Sequence, residues 1–333
     1  MIKNIKHSSG FTLVEIMVAM FIGVIVLGGA LSMHSGTRNT QKMNESRMDM
    51  VADARFAISM ISYDLRHAGM WGGTNKEGLI TCKSTDATCT TEPASVILPT
   101  VANNDCADSG SDLWAYDLTQ PVFATDGGSG NPYSDTCIPS AQGYLADTDI
   151  LEMKYADSNP ATVLLTNQAY IRSNFQNGQV FIGDTQPVIA SRDSKSDTNN
   201  HVLHAYAYYV SDHTDVPGDG IPSLRRASLV RGPEIQNQVL ISGVTDLQVQ
   251  FGEDTNGDGT VNRYVNADLV GDWSKVYAVK VWLLMRSDEI PLTSGVIPSK
   301  TFDIATVSVT KNDGYQYFMV TSIVNLRNVK PQI

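Results

Sequence analysis

Near the N-terminus the sequence reads Gly10-Phe11-Thr12-Leu13-Val14-Glu15 and continues as an apolar run from Ile16 to Met33. The leader before it carries Lys3 and Lys6 but no acid, and after Glu15 no charged side chain occurs until Arg38. About 20 apolar residues in a helix span the roughly 30 Å core of a bilayer. The basic leader then places the N-terminus in the cytoplasm and the rest of the chain outside it.

Glu15 is an ionisable group at the head of this apolar helix. A carboxylate in lipid is costly unless another group pairs with it, so a partner is expected. The alternative is that Glu15 lies in the headgroup region and needs none. A second alternative is a secretory signal peptide, since Gly28 and Ala30 offer small residues to a signal peptidase. The helical pattern that continues after Met33 favours a retained helix.

The Gly10 to Glu15 motif and its apolar helix resemble the class III leader of type IV pilins and type II secretion pseudopilins. The resemblance implies that a membrane prepilin peptidase cleaves after Gly10 and methylates the new N-terminal residue, Phe11. It also implies that the freed amine of one subunit meets Glu15 of its neighbour. The expected partners are other minor pilins and the major pilin, reached from the inner membrane.

The composition disfavours a nucleic-acid surface. The chain has 333 residues with 24 basic and 35 acidic side chains, and its formal charge is −11. Removal of the leader with its two lysines leaves 22 basic against 35 acidic residues, or −13. Binding to phosphates needs clusters of Lys and Arg, and none is visible.

Four cysteines, Cys82, Cys89, Cys106 and Cys137, lie within one part of the chain. An even number of cysteines in an exported domain predicts two disulfides, with three possible connectivities. A zinc site is the alternative, but no CxxC pair exists and no histidine lies between the first and the last cysteine. We expect disulfides, with Cys82 and Cys89 closing a short loop.

The helix is predicted to continue beyond the membrane. Apolar residues recur at three- and four-residue steps at Val51, Ile58, Ile61, Leu65 and Ala68. The charged residues expected on the other faces are Arg47, Asp49, Asp53, Arg55, Asp64 and Arg66. The pattern predicts one helix from Phe11 to about Ala68, about 87 Å long. Residues 11–34 would form its membrane half and residues 35–69 its amphipathic half, before the stop at Gly69-Met70-Trp71-Gly72-Gly73.

After the helix, residues 70–146 are predicted to form a loop-rich region with the cysteines, and residues 147–333 a β head. The predicted strands are Ile150 to Tyr155, Thr162 to Leu165, Gln179 to Ile182, Pro187 to Ala190, Leu203 to Val210, Ser223 to Val230, Val239 to Ile241, Asp246 to Phe251, Val276 to Met285, Ala305 to Val309 and Tyr317 to Leu326. A helix followed by antiparallel strands predicts an α+β fold, in which a long helix packs on an antiparallel sheet.

This order of a long helix, a glycine-rich stop and a cysteine-bearing loop region resembles the PilW group of minor pilins. The fold implied is type IV pilin-like. Residues 240–251 and 278–286 also resemble the head of J-type pseudopilins. The resemblance is specific at the N-terminus and thin over the rest of the chain.

One loop has the composition of a calcium site. Its candidate ligands are Asp254, Asn256, Asp258, Thr260 and Asn262. Alternating Asp and Asn with glycine begin an EF-hand loop, because calcium prefers several converging oxygens. The twelfth position is Val265 instead of Glu, so other oxygens such as those of Asp268 or Asp272 would be needed. The alternative is a solvated turn, for which Asn-Gly and Asp-Gly are typical.

No pattern of an enzyme is found. His201 and His204 are three residues apart at the start of a predicted strand, so their side chains would point to opposite faces. There is no GxSxG, phosphate-binding loop or HExxH sequence. The sequence therefore predicts a minor pilin that primes pilus assembly, with a J-type secretion pseudopilin or a pilus-tip adhesin as the alternatives.

Overall fold

The computed structural model describes residues 10–81, 88–89, 96–97, 101, 105–106, 114–189, 198–290 and 298–329. One long helix, α1 (Leu13–His67), precedes all the strands. The strands are β1 (Ile80–Thr81), β2 (Thr88–Cys89), β3 (Val96–Ile97), β4 (Val122–Thr125), β5 (Ile150–Ala156), β6 (Ala169–Ser173), β7 (Gly178–Ile182), β8 (Asn199–Ser211), β9 (Ser223–Val230), β10 (Glu234–Ser242), β11 (Val244–Glu253), β12 (Arg263–Val265), β13 (Val276–Arg286), β14 (Lys300–Ile304), β15 (Val307–Lys311) and β16 (Tyr317–Asn325). Short 3₁₀ helices are Glu77–Leu79, Trp114–Tyr116, Gly127–Ser129, Ser140–Gln142, Ala267–Leu269 and Trp273–Lys275.

The predicted long helix is confirmed, and only its second half packs on the head. The buried residues that form its apolar stripe are Met50, Ala54, Ala57, Ile61 and Leu65. They recur at three- and four-residue steps, as a face turned to a core requires. The two alanines in the stripe lack bulk beyond Cβ, so the helix can lie close to the strands beneath it.

The glycine-rich stop ends the helix as predicted. Gly69 has a positive φ of 78°, which favours glycine. The side-chain amide of Asn328 donates hydrogen bonds to the carbonyls of Arg66 at 3.0 Å and of His67 and Ala68 at 3.3 Å. These carbonyls have no partner within the helix, so the C-terminal segment of the chain caps α1.

The strands form two main sheets. The first has the order β1-β7-β6-β8-β5-β4, and β9 pairs with both β8 and β10. The long strand β8 pairs with β6 through its first residues and with β9 through its last. The second sheet has the order β12-β11-β13-β16 and is antiparallel throughout.

The main core lies where α1 meets both sheets. It includes Leu151, Met153 and Tyr208 from the first sheet and Leu247 and Val281 from the second. Successive side chains of a strand alternate between faces, so each sheet also has an outer face that needs cover.

Two further layers supply that cover. The segment that carries Cys106, Trp114 and Cys137 packs on the outer face of the first sheet. The hairpin of β14 and β15 packs on the outer face of the second sheet through Phe302 and Ile304. The result is the predicted α+β fold of a long helix on sheets that are antiparallel except for the parallel pair of β1 and β7.

Most predicted strands are confirmed with shifted ends, and three are not. Thr162 to Leu165 is wrong, because this segment is a bend followed by irregular chain, and the Val163 side chain is 67 % exposed. Pro187 to Ala190 has no strand over its described residues 187–189, and residue 190 lies outside them. Ala305 to Val309 begins wrongly, since Ala305 has φ 51° and forms the turn between β14 and β15.

Candidate functional site

The N-terminal motif forms a capping box at the start of α1. Thr12 is the N-cap, and its hydroxyl accepts a hydrogen bond from the Glu15 backbone N–H at 3.3 Å. The Glu15 carboxylate in turn accepts from the Thr12 backbone N–H at 2.8 Å and from its hydroxyl at 2.9 Å. This reciprocal pair satisfies helix-end donors that otherwise lack partners. Glu15 is thus held at the head of the helix within its own chain.

The first half of α1 extends away from the head. None of its most apolar window is buried, and this window has the length and composition of a membrane span. Large side chains such as Phe11, Met20 and Phe21 are 70 % exposed or more. An apolar surface of this size on a single helix requires lipid or other helices around it.

Asp64 joins the helix to the head, which corrects its predicted place on an outward face. Its side chain is buried, with 4 % of the residue exposed. The carboxylate accepts hydrogen bonds from the Tyr155 hydroxyl at 2.7 Å and the Tyr208 hydroxyl at 2.5 Å. The signal in the sequence was its position three residues after Ile61, which places it on the buried side of the helix.

Arg226 supplies the positive charge for this buried carboxylate. Its Nη1 lies 3.8 Å from Asp64 Oδ2, and its guanidinium lies 4.1 Å from the ring centre of Tyr206. Burial raises the pKa of the Tyr208 hydroxyl, and the neighbouring Asp64 charge raises it further. The tyrosines therefore act as neutral donors, and the network fixes the direction in which α1 leaves the head.

The predicted disulfide region is confirmed for one bond. Cys106 and Cys137 form a disulfide across 31 positions, while Cys82 of the expected pair Cys82–Cys89 lies outside the described residues, so that pairing stays a prediction. The bonded pair is buried among the side chains that cover the first sheet. The disulfide thus ties this covering layer together.

Beneath that layer lie two buried residues of opposite charge, Glu152 and Lys154, that the sequence did not reveal. Glu152 accepts hydrogen bonds from Trp114 Nε1 at 2.5 Å and from the Tyr133 hydroxyl. Lys154 Nζ lies 5.0 Å from the centre of the Trp114 ring. Burial raises the pKa of Glu152 and lowers that of Lys154, and the opposite charge of each resists the shift of the other. The sequence feature that could have revealed this pair is the position of Glu152 and Lys154 on the same face of an otherwise apolar strand, β5.

The loop at Asp254 is a tight turn closed by its own hydrogen bonds. The Asp254 carboxylate accepts from the backbone N–H groups of Asn256, Gly257 and Gly259 at 3.1, 2.6 and 2.7 Å. Burial acts to raise the pKa of Asp254, but these three donors lower it below its ordinary value. Asp258 likewise accepts from the Thr260 N–H at 2.8 Å.

Asn262 closes the other end of this loop. Its side-chain oxygen accepts from the Thr255 N–H at 2.8 Å. Glu253 anchors the loop to its neighbour, since its carboxylate binds Arg263 at 2.7 Å and accepts from the Asp272 N–H at 3.1 Å. The candidate oxygens therefore already accept hydrogen bonds from the chain, and Asp272 itself caps Ser274. Calcium binding by this loop stays a prediction.

The two histidines point to opposite faces of β8, as predicted. His201 Nδ1 contacts the Asp157 carbonyl at 2.8 Å, and His204 Nδ1 contacts the Tyr206 hydroxyl at 2.9 Å on the side of the helix. Within the part of the chain that the structure describes, no three His, Cys, Asp or Glu residues are grouped as metal ligands.

Comparison with known proteins identifies two regions. Residues 207–328 match the family model of "Type IV Pilus-assembly protein W", and residues 5–31 match that of the "Prokaryotic N-terminal methylation motif". The search of curated proteins found no significant match. Among solved structures, a type IV-like pilin from Thermus thermophilus is similar at 14 % identity, with a TM-score of 0.28, over 58 % of this chain and 81 % of that one. A TM-score this low carries no argument about the fold.

Proposed function

We propose that the chain is a type IV pilus minor pilin of the PilW family, that it helps to prime pilus assembly and that it sits at the pilus tip; the matches of residues 207–328 and 5–31 to the two family models support this. Prepilin peptidase cleaves after Gly10 and methylates Phe11. The apolar helix then waits in the inner membrane, with the head in the periplasm. There it packs beside the helices of other minor pilins, and the complex starts the filament that the major pilin extends.

The observation that carries this proposal is the exposed first half of α1. Its apolar side chains have no cover from the head, so they are available to helices of the same kind. Close packing between membrane helices relies on small residues at the contact. Gly23, Gly28 and Gly29 provide such positions, and a Cβ at each would meet no atom of this chain within 4 Å.

Glu15 has the role of setting the register between neighbouring helices. Its carboxylate is held at the helix head by Thr12 and has no positively charged partner among the described residues. Cleavage after Gly10 frees the α-amine of Phe11, and the amine of a neighbouring subunit would supply that charge. Such a pair is favoured because an unpaired charge at membrane depth is costly.

The size of the head supports a place at the tip. Both sheets carry an additional layer on the face away from the helix, one made by the disulfide segment and one by the β14–β15 hairpin. These layers add bulk that repeated packing along a shaft has to accommodate. A subunit at the tip has no neighbour above it and avoids this constraint.

Deletion and complementation test the proposed function. The strain that lacks the gene should lose most surface pili, and the wild-type chain should restore them. Glu15→Ala should fail to restore piliation although the protein reaches the membrane. Asp215→Ala, a matched change at an exposed position of the head outside both clefts described below, should restore it. Normal piliation in the deletion strain would refute a role in priming.

A further inference from the structure

Two clefts of opposite charge flank α1 where it meets the head. The first, called the acidic cleft, has a volume of about 370 Å³ and is lined by Asp49 and Asp53 of the helix and by Asp288 and Glu289 after β13. The second, called the basic cleft, has a volume of about 330 Å³ and is lined by Arg47, Lys300 and Lys311. Met50 lines both clefts, so they are separated by little more than the helix itself.

The helix places these charges on different sides. Each residue advances about 100° around an α-helix, so Arg47 lies on one side of buried Met50 and Asp53 on the other. The head continues the same separation. Lys300 and Lys311 face each other across the β14–β15 hairpin, and no carboxylate lines their cleft.

None of the acids or bases named for the two clefts forms an ion pair within the described residues. Lys300 Nζ and Lys311 Nζ lie 4.6 and 5.6 Å from the ring centres of Phe302 and Tyr317. In the acidic cleft Lys42 and Arg286 also contribute to the lining. Arg286, however, donates to the Gly220 carbonyl at 2.8 Å and packs on the Tyr315 ring at 4.0 Å. Partial burial raises the pKa of Asp53, and the nearby charges of Asp49 and Asp288 raise it further.

Helices anchored in one membrane by their N-termini run parallel to each other. In a heterologous contact between two parallel subunits, one side of the first meets a different side of the second. Such a contact requires two different surfaces that complement each other. The acidic and basic clefts meet that requirement, and they lie at the same level of the helix.

We propose that the acidic cleft of one subunit binds the basic cleft of a second copy of this chain. Arg47, Lys300 and Lys311 of one copy then face Asp49, Asp53 and Asp288 of the other. The inference rests on the proposed assembly through α1 and adds the surface by which two heads dock. Because the partner groups are exposed, the contact weakens as salt screens the charges.

The test uses two differently tagged copies of the full chain, expressed together in membranes and extracted in mild detergent at low salt. Wild-type copies should co-purify, and high salt should reduce their recovery several-fold. The acidic-cleft variant, Asp49→Lys with Asp288→Lys, should lose self-association. The basic-cleft variant, Arg47→Glu with Lys300→Glu, should lose it as well. The two variants should co-purify with each other, because each retains one native cleft and the reversed clefts also match.

Matched controls carry the same changes of charge elsewhere on the head. Asp184→Lys with Asp215→Lys, and Lys76→Glu with Arg231→Glu, alter exposed positions outside both clefts and should leave co-purification unchanged. Thermal unfolding should be the same for all variants. The proposal would be overturned if the cleft variants co-purified as well as wild type, or if wild-type copies did not associate. Neither result would change the outcome of the piliation assay, so the docking of two heads and the role in priming can be refuted independently.

Discussion

Asp64 of the helix accepts a hydrogen bond of 2.5 Å from the hydroxyl of Tyr208, which lies 144 positions later in strand β8. This contact and the one from Tyr155 attach the head to the second half of α1. The junction therefore decides how firmly the head is held on the helix.

Loss of the Asp64 carboxylate should weaken the whole head. Asp64→Ala leaves two buried tyrosine hydroxyls without an acceptor and Arg226 without its counter-charge. We expect the free energy of unfolding to fall by about 3 kcal/mol. Denaturation of the full chain in detergent, followed by tryptophan fluorescence, measures it. Arg66→Ala, two residues further on and exposed, should cost less than about 0.5 kcal/mol. Equal effects of the two substitutions would contradict the assigned role.

Removal of the described disulfide should loosen the layer over the first sheet. Cys106 and Cys137 are 31 positions apart, so the bond restricts a loop of that length in the unfolded chain. Replacing both with Ala should lower the free energy of unfolding by about 3 kcal/mol. Protease sensitivity near Trp114 should rise together with that loss. A variant as stable and as protease-resistant as the wild type would show that the layer is held by packing alone.

Asp149 should make stability depend on pH. Burial raises its pKa from 3.8 to about 7, although the backbone N–H groups of Gly127 and Val249 donate to it. A raised pKa in the folded state means that the contribution to stability is complete below pH 3.8 and is lost as the pH rises through about 7. Asp149→Asn cannot lose a proton, so its stability relative to wild type should increase by about 4 kcal/mol between acid and neutral pH.

The matched control for this prediction is Asp147→Asn. Asp147 is exposed and lies two residues earlier in the chain. Its substitution should leave the pH dependence of unfolding unchanged. A difference between Asp149→Asn and wild type that stays constant with pH would show that Asp149 does not titrate in this way.

Calcium should stabilise the chain if the Asp254 loop binds it. At a free calcium concentration about ten times Kd, the free energy of unfolding should rise by about 1.4 kcal/mol. Asp258→Asn removes a carboxylate from the loop and should abolish the gain, whereas Asp219→Asn in a different exposed loop should preserve it. Thermal unfolding with calcium, magnesium and chelator measures this. If calcium left the melting temperature unchanged, calcium binding by the Asp254 loop would be refuted.

The helix could be predicted because its signals are local. The spacing of Ile61 and Leu65 and the glycines from Gly69 onward are patterns within one element. Strands such as Ser223–Val230 were predicted for the same reason, since alternation on a half-covered sheet is visible in the sequence. The turn at Ala305 was missed because a positive φ at a residue with a Cβ has no sequence signature.

The buried charges could not be predicted because their partners are distant in the chain. Asp64 pairs with Arg226 across the core, and Glu152 receives its hydrogen bonds from Trp114 and Tyr133 in a segment rich in polar residues. From sequence alone, a charged side chain is expected to face solvent, because its burial requires hydrogen-bond partners that only the folded structure reveals. The sequence therefore predicted the assembly helix well and the attachment of the head poorly.

The mass of the N-terminal peptide tests the central claim most directly. The full chain would be expressed in membranes with and without a prepilin peptidase, and its first peptide identified by mass spectrometry. If the prepilin peptidase cleaves after Gly10, the first peptide should begin at methylated Phe11 when the peptidase is present and at the uncleaved leader when it is absent. A peptide that begins near Leu31, with or without the peptidase, would contradict it, because the apolar helix would then be removed and could not assemble a pilus.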